Sequence, residues 1–187
     1  MISTSTTVCG VIGNPVAHSM SPTVHQAGYR ALGLDFSYLA FKVTDLAAAL
    51  RGMRGLGLRG FSVTLPYKRD AVALIDEADA SVRETGALNT IVNENGKLMG
   101  YDTDGAAALS ALCKHTDVEG KQTVVIGAGG TALSIAHALK KAGARLTILN
   151  RNAGNAAALA KDLDAAHGNL KQLDLIASAE IIVHATP

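Results

Sequence analysis

The stretch TVVIGAGGTA, residues 123–132, predicts how the second half of the chain folds. An apolar strand predicted over 123–126 runs into a glycine-rich turn, and the turn opens a helix predicted over 131–142. The glycines of such a turn let the backbone approach a pyrophosphate, which the helix N-terminus then holds. The sequence therefore predicts a Rossmann-like nucleotide-binding domain. Its predicted contact residues are Gly127, Ala128, Gly129, Gly130, Thr131 and Ala132.

The next strand, predicted over 145–149, indicates which cofactor binds. It ends in Asn150-Arg151-Asn152 and no acidic residue follows. In NAD-binding domains an Asp or Glu near this position accepts the ribose 2′-hydroxyl. Arg151 can instead pair with a 2′-phosphate and stack on adenine through its planar guanidinium. We therefore predict NADP, contacted by Asn150 and Arg151, with an ordinary solvent-exposed arginine as the alternative.

Strands and helices also alternate in the first half of the chain. Strands are predicted over 8–13, 36–43, 60–65, 87–93 and 97–101, and helices over 21–32, 46–56 and 68–84. Alternation at this spacing favours an α/β fold with a largely parallel sheet. Asn95-Gly96 is the expected hairpin turn between the last two of these strands.

The domain boundary is expected near Asp104, within an alanine-rich helix predicted over 102–115. This gives an N-terminal α/β substrate-binding domain over 1–104 and the Rossmann-like NADP-binding domain over 105–187. A helix over 153–166 and a strand over 180–184 complete the second pattern.

The cluster HSMSP, residues 18–22, follows the first predicted strand. Ser21 is the predicted N-cap and Pro22 the first helical residue, because serine satisfies an unpaired N–H and proline has none to lose. A helix N-terminus carries partial positive charge, so the hydroxyls of Ser19 and Ser21 suit a small carboxylate. An ordinary capped surface helix is the alternative.

The amino-acid composition indicates which kinds of binding partner to expect. Of 187 residues, 48% are apolar and 18% are charged, and the net charge is +1. This balance gives no reason to expect nucleic acid or a membrane surface as a partner. Cys9 and Cys113 have no His or Cys at a spacing that binds zinc, so we predict buried, unpaired thiols and no metal. Together with an N-terminus unlike a signal peptide, this predicts a cytoplasmic location.

With these residues in place, the chain resembles the shikimate dehydrogenase family over essentially all 187 positions. The cluster at 18–22 is similar to the family's HS-x-S-P motif, and SVTLPYK at 62–68 is similar to N-V-T-x-P-x-K. ALNT at 87–90 resembles A-x-N-T, and YDTDG at 101–105 resembles Y-N-T-D-G. Each motif alone would be weak, and it is their common order along the chain that carries the resemblance.

The resemblance implies roles for particular residues. Lys68 becomes the catalytic lysine and Asp104 its partner. The implied reaction is the reversible reduction of 3-dehydroshikimate to shikimate by NADPH, in chorismate and aromatic amino acid biosynthesis, by a monomer or homodimer. Lysine can donate the proton that the carbonyl oxygen needs as it becomes an alkoxide. The substrate contacts implied are Ser19, Ser21, Thr64 and Asn89.

Several positions depart from the family pattern. Two of them bear on the cofactor, since Leu133 replaces an arginine and Asn155 replaces a second basic residue beside Arg151. A single arginine weakens the preference for NADP, so some use of NAD is expected. Asp102 replaces an asparagine and is interpreted as a cap of the connecting helix. Ser62 and His184 each stand where the family has asparagine.

The family continues beyond the A-T-P segment at 185–187 with further strands, a substrate-contacting glutamine and C-terminal helices. The resemblance therefore implies a nucleotide-binding domain that is incomplete at its C-terminal end, and it leaves open whether these residues alone turn over substrate. Two other functions stay open. One is an NAD-using quinate/shikimate dehydrogenase, and the other is a module that binds shikimate or nucleotide without catalysis.

Overall fold

The computed structural model describes residues 2–186 and divides after Asp102 into two compact units. Each unit has its own β-sheet with helices packed on it. The division falls two residues before the predicted boundary at Asp104. Within the described residues, every helix is too short or too polar to span a bilayer.

The first unit contains a six-stranded mixed sheet. Its strands are β1 (Thr7–Gly13), β2 (Phe36–Lys42), β3 (Gly60–Val63), β4 (Glu77–Ala78), β5 (Thr90–Glu94) and β6 (Lys97–Tyr101). The spatial order is β2-β1-β3-β5-β6-β4. β1 runs parallel to both β2 and β3, whereas β5 is antiparallel to β3 and β6. The sheet is therefore mixed rather than largely parallel, because a tight hairpin can join only antiparallel strands.

The helices of the first unit are α1 (Ser21–Ala31), α2 (Leu46–Gly55) and α3 (Ala80–Thr85), with a short 3₁₀ segment over Asp70–Leu74. The prediction of one helix over 68–84 is wrong. Residues 77 and 78 pair with β6 as strand β4, and this backbone pairing interrupts the helical pattern. α3 then begins at Ala80 after the N-cap Asp79, whose carboxylate accepts the N–H of Val82 at 2.9 Å.

The start of α1 also differs from the prediction. Ser21 is the first helical residue, and the N-cap is Met20, which makes no side-chain capping bond. The Ser19 hydroxyl accepts the backbone N–H of Ser21 at 3.3 Å. A serine therefore does satisfy an N–H of the first turn, but it is Ser19 rather than Ser21.

A buried asparagine connects the β5–β6 hairpin to the end of α2 and to the segment that follows it. Asn93 is only 8% exposed. Its Nδ2 donates to the carbonyl oxygens of Met53 at 3.3 Å and Leu58 at 3.0 Å, and its Oδ1 accepts the N–H of Gly96 at 2.7 Å. The predicted turn is confirmed, since φ is +55° at Asn95 and +92° at Gly96.

The second unit contains a four-stranded, wholly parallel sheet in the order β10-β7-β8-β9. Its strands are β7 (Gln122–Ile126), β8 (Arg145–Leu149), β9 (Ala166–Gly168) and β10 (Ile181–His184). Its helices are α4 (Asp104–Leu112), α5 (Gly130–Lys141), α6 (Ala153–Leu163) and α7 (Leu173–Ala177). A parallel sheet connected through helices is the predicted Rossmann-like pattern.

Asp102 is not the N-cap residue of the helix that follows it. The N-cap of α4 is Thr103, so Asp102 lies outside the helix. The Asp102 side chain is 8% exposed and accepts the Thr85 hydroxyl at 3.3 Å, while its backbone N–H donates to the Ser81 hydroxyl at 3.1 Å. Asp102 therefore helps to fix α3 against the end of β6.

We predict that Asn93→Ala destabilises the first unit. The substitution leaves the Leu58 carbonyl and the Gly96 N–H without the Asn93 side chain, while the Met53 carbonyl keeps the N–H of Leu58 at 3.0 Å. The two lost partners cost about 2–4 kcal/mol. Urea unfolding measures the change. Glu94→Ala, at an exposed position of the same strand, serves as the control and should change the free energy of unfolding by less than about 0.5 kcal/mol. Equal losses in the two variants would contradict the structural role of Asn93.

Candidate functional site

The candidate substrate residues of the first unit belong to segments that meet at one edge of the sheet. β1 and β3 are parallel, and Ile12 is paired with Val63, so their carboxyl ends lie side by side. The amino end of antiparallel β5 reaches the same edge, since Thr90 is paired with Ser62. Ligands of open α/β sheets bind at the carboxyl ends of the strands. The segments that leave or enter this edge carry Ser19, Ser21, Thr64, Lys68 and Asn89, all half-buried.

Backbone hydrogen bonds bring the lysine and asparagine segments together. The N–H of Val63 donates to the carbonyl of Asn89 at 2.7 Å, and the N–H of Leu88 donates to the carbonyl of Lys68 at 2.8 Å. The Asn89 side chain is oriented in turn, because its Oδ1 accepts the Thr90 hydroxyl at 2.8 Å. Lys68 and Asn89 therefore lie on neighbouring segments of fixed spacing.

Thr64 is fixed against the end of β1. Its backbone N–H donates to the carbonyl of Ile12 at 3.0 Å. Gly13 packs so closely that a Cβ added there would overlap the Thr64 methyl group and lie 3.0 Å from the Leu65 carbonyl oxygen. The close approach of Gly13 thus sets where the Thr64 side chain lies, just beyond β3.

Tyr38 is a polar contact near this edge that the sequence analysis missed. Its hydroxyl lies 2.6 Å from the Ser62 hydroxyl, and its ring stacks on His25 with 4.1 Å between centroids. Burial raises the pKa of Tyr38, so the phenol stays protonated and can donate to Ser62. A tyrosine in a predicted strand is typical of the core, and only the pairing of β2 and β3 on either side of β1 places it next to Ser62.

In the second unit a cavity of about 480 Å³ opens where β7, β8 and β10 end. This volume lies within the usual range of small-molecule sites. The cavity combines the glycine turn, the end of β8 and the segment after β10. Its lining residues are Gly127, Ala128, Gly129, Asn150, Arg151, Asn152, Asn155, Ala185 and Thr186.

The glycine turn has one position that only glycine fits. Gly127 has a φ of +125°, and a Cβ there would lie 2.6 Å from the carbonyl oxygen of Ala185. Gly129 is the N-cap of α5 and makes no side-chain capping bond. The N–H groups of the first turn of α5 can therefore receive an anionic group such as a pyrophosphate.

The charge of the cavity suits a phosphate. Among the described residues that line it, Arg151 is the charged one, and the amides of Asn150, Asn152 and Asn155 surround it. A guanidinium pairs well with a 2′-phosphate, and no lining carboxylate among these residues would repel that group or accept a 2′-hydroxyl. The residues present therefore fit NADP.

Three of the predicted nucleotide contacts lie outside this lining. Gly130 begins α5, and Ala132 is fully buried, as close helix–strand packing requires. The Thr131 hydroxyl donates to Asp104 Oδ2 at 3.1 Å, which joins the start of α5 to the start of α4. Thr131 is predicted to contact the nucleotide, but its hydroxyl already bonds Asp104 within the same unit.

Two lining residues that the sequence analysis missed follow β10. Ala185 donates its N–H to the Ile126 carbonyl at 2.8 Å, and the Thr186 hydroxyl lies 2.6 Å from Nε2 of His184. The signal for both was the A-T-P segment after a strand, but only the pairing of β10 with β7 brings that segment to the glycine turn. Pro187 lies outside the described residues.

A parallel strand that passes through a glycine turn into a helix, beside a strand end that carries arginine, places the second unit among Rossmann-like nucleotide-binding domains. Family models agree for both halves of the chain. Residues 11–91 match the shikimate dehydrogenase substrate binding domain, and residues 110–187 match shikimate / quinate 5-dehydrogenase. The chain belongs to the shikimate dehydrogenase family. The predicted family and fold class are confirmed.

Relatives and solved structures agree with this assignment. Shikimate dehydrogenase (NADP(+)) of Pyrococcus abyssi is 40% identical over 180 residues, which are 96% of this chain and 67% of that protein. A crystal structure of a shikimate dehydrogenase in complex with NADP+ aligns with a TM-score of 0.92 and 38% identity, over 100% of this chain and 69% of that one. The Thermus thermophilus enzyme in complex with NADP(H) and shikimate aligns with a TM-score of 0.87 and 33% identity, over 96% and 68%.

We predict that Gly127→Ala destabilises the second unit. A side chain at this φ and so close to the Ala185 carbonyl costs about 2 kcal/mol. Gly129→Ala is the matched control, because φ there is −87° and a Cβ would meet no atom within 4 Å. Urea unfolding of both variants measures the difference. Equal stability of the two variants would contradict the strain assigned to Gly127.

Proposed function

We propose that this chain catalyses the reversible NADPH-dependent reduction of 3-dehydroshikimate to shikimate, a step of aromatic amino acid biosynthesis. The observation that carries the proposal is the meeting, at one edge of the first sheet, of the segments that bear the family's substrate motifs. Identities of about 40% to enzymes named for this reaction and for NADP(+) support it. The cytoplasmic location and the oligomeric state stay predictions.

The first unit is the proposed substrate-binding domain. Ser19 and Ser21 stand at the N-terminal end of α1, where hydroxyls and helix N–H groups favour a carboxylate. Thr64 and Asn89 follow β3 and precede β5, and their positions are set by backbone bonds at the sheet edge. They are the proposed contacts for the substrate hydroxyls.

Lys68 is the proposed proton donor. NADPH, when bound, supplies the hydride. An ammonium group at Lys68 can donate a proton to the substrate's carbonyl oxygen and stabilise the negative charge that develops on it. In the reverse direction the neutral amine takes that proton back from the hydroxyl. The resemblance assigns the second catalytic role to the carboxylate of Asp104, and we propose the same role here.

The second unit is the proposed NADP-binding domain. The turn over Gly127–Gly130 and the N-terminus of α5 would hold the pyrophosphate. Asn150 and Arg151 would hold the 2′-phosphate, since they line the cavity at the end of β8. Ala132 contributes through the close packing of α5 on β7.

We predict that Lys68→Ala lowers kcat by at least about 100-fold, because the proton donor is lost. The dissociation constant of shikimate should change by less than about threefold, since the substrate contacts remain. Because the relatives are longer, turnover is measured on the whole natural polypeptide that carries this sequence, below called the whole polypeptide. Lys97→Ala is the control, since Lys97 pairs with Glu77 far along the hairpin. Turnover equal to the unsubstituted protein would remove Lys68 from the mechanism.

We predict that Arg151→Ala weakens NADP+ binding by about 10-fold to 100-fold, the value of a charge-assisted pair with a phosphate. Binding of NAD+ should weaken by less than about threefold, because NAD+ lacks that phosphate. Isothermal titration calorimetry measures both. Arg145→Ala is the matched control, since Arg145 begins the same strand that Arg151 follows. The same loss for both nucleotides would mean that Arg151 does not recognise the 2′-phosphate.

A further inference from the structure

A side-chain hydrogen bond links the nucleotide turn to the proposed catalytic carboxylate. Thr131 is the second residue of α5, and its hydroxyl donates to Oδ2 of Asp104, the first residue of α4, at 3.1 Å. The two residues are 27 positions apart in sequence, so this contact depends on the packing of the two helices. Both side chains are half-buried.

Close packing of α4 on α5 makes the spacing of this pair rigid. Gly105, next to Asp104, is buried, and a Cβ there would overlap the carbonyl oxygen of Ser134 and lie 3.1 Å from the Ala138 Cβ. The first turn of α4 therefore closely approaches the backbone of α5 at Ser134, one turn beyond Thr131. A contact of this kind leaves the Asp104 carboxylate little freedom to move away from Thr131.

We propose that Thr131 is a positioning residue that holds the Asp104 carboxylate through its hydroxyl. The inference rests on the proposed catalytic role of Asp104. An aspartate side chain has rotational freedom that a catalytic site must restrict, and a supporting hydrogen bond is the usual means. The Thr131 hydroxyl gives the Asp104 carboxylate such a hydrogen bond from the neighbouring helix.

The N-terminal end of α5 therefore has two proposed roles, one at the nucleotide cavity and one at Asp104. Gly129, the N-cap of α5, lines the cavity, whereas the hydroxyl of Thr131, the second residue of the helix, is directed to Asp104. Thr131 is outside the cavity lining, so loss of its hydroxyl should affect catalysis rather than nucleotide affinity. This separates a positioning role from the direct nucleotide contact that the glycine motif predicts for Thr131.

The test compares Thr131→Val, which keeps the shape and removes the hydroxyl, with Thr131→Ser, which keeps the hydroxyl. In the whole polypeptide, Thr131→Val should lower kcat about 10-fold, while KM for shikimate and the dissociation constant of NADP+ change by less than about threefold. Thr131→Ser should keep kcat within about threefold of the unsubstituted enzyme. Thr123→Val is the matched control, because it also removes a buried threonine hydroxyl, here from β7. Among the described contacts, that hydroxyl donates only to the Lys121 carbonyl.

A double-mutant cycle with Asp104→Asn sharpens the test. If Thr131 acts through Asp104, then Thr131→Val should lower kcat by less than about twofold in the Asp104→Asn background. Independent losses in the two backgrounds would overturn the inference. So would an unchanged kcat in Thr131→Val, or a loss accompanied by equally weakened NADP+ binding and not restored by serine.

The same data separate this inference from the proposed function. Absence of shikimate turnover in the unsubstituted enzyme, or an Asp104→Asn variant as active as the unsubstituted enzyme, would contradict the proposed function and the inference together. Normal activity that falls in Asp104→Asn but not in Thr131→Val would contradict the inference alone. Thermal unfolding of each variant shows whether a loss of kcat comes from loss of structure.

Discussion

The second unit depends on one backbone conformation, the φ of +125° at Gly127. It allows β7 to turn directly into α5 beneath the Ala185 carbonyl, at a distance that excludes any side chain. The N-terminus of α5 consequently faces the strand ends, where Arg151 follows β8. The same first turn carries Thr131, whose hydroxyl donates to Asp104 on α4, so a hydrogen bond links the glycine turn to the proposed catalytic carboxylate.

The proposed site of the first unit also lies at one edge of a sheet, but the strands of this sheet are arranged differently. β1 and β3 are parallel and bring two loops to one edge, and antiparallel β5 adds the segment of Asn89. A wholly parallel sheet would place the amino end of β5 at the opposite edge. The mixed sheet is therefore what allows the asparagine and lysine motifs, 21 positions apart, to lie on hydrogen-bonded segments.

Local chemistry explains what could be predicted from the sequence. The glycine turn, the Asn95-Gly96 hairpin and the strands beside them are determined by neighbouring residues, and all are present. The features that the sequence did not predict depend on contacts between residues far apart in the chain. Residues 77–78 become a strand only because β6 is available to pair with them, and Thr131 meets Asp104 only because Gly105 lets two helices touch. The family resemblance named the candidate residues, but it contained no information on which groups support them.

Shikimate-dependent reduction of NADP+ by the whole polypeptide, with NAD+ and quinate as the comparison substrates, is the measurement that decides whether this protein has the proposed activity. We expect NADPH to form when shikimate is added, faster than NADH forms from NAD+ and faster than with quinate. Shikimate binding without formation of NADPH would indicate a non-catalytic binding module. A preference for quinate and NAD+ would contradict the reading of the cavity around Arg151.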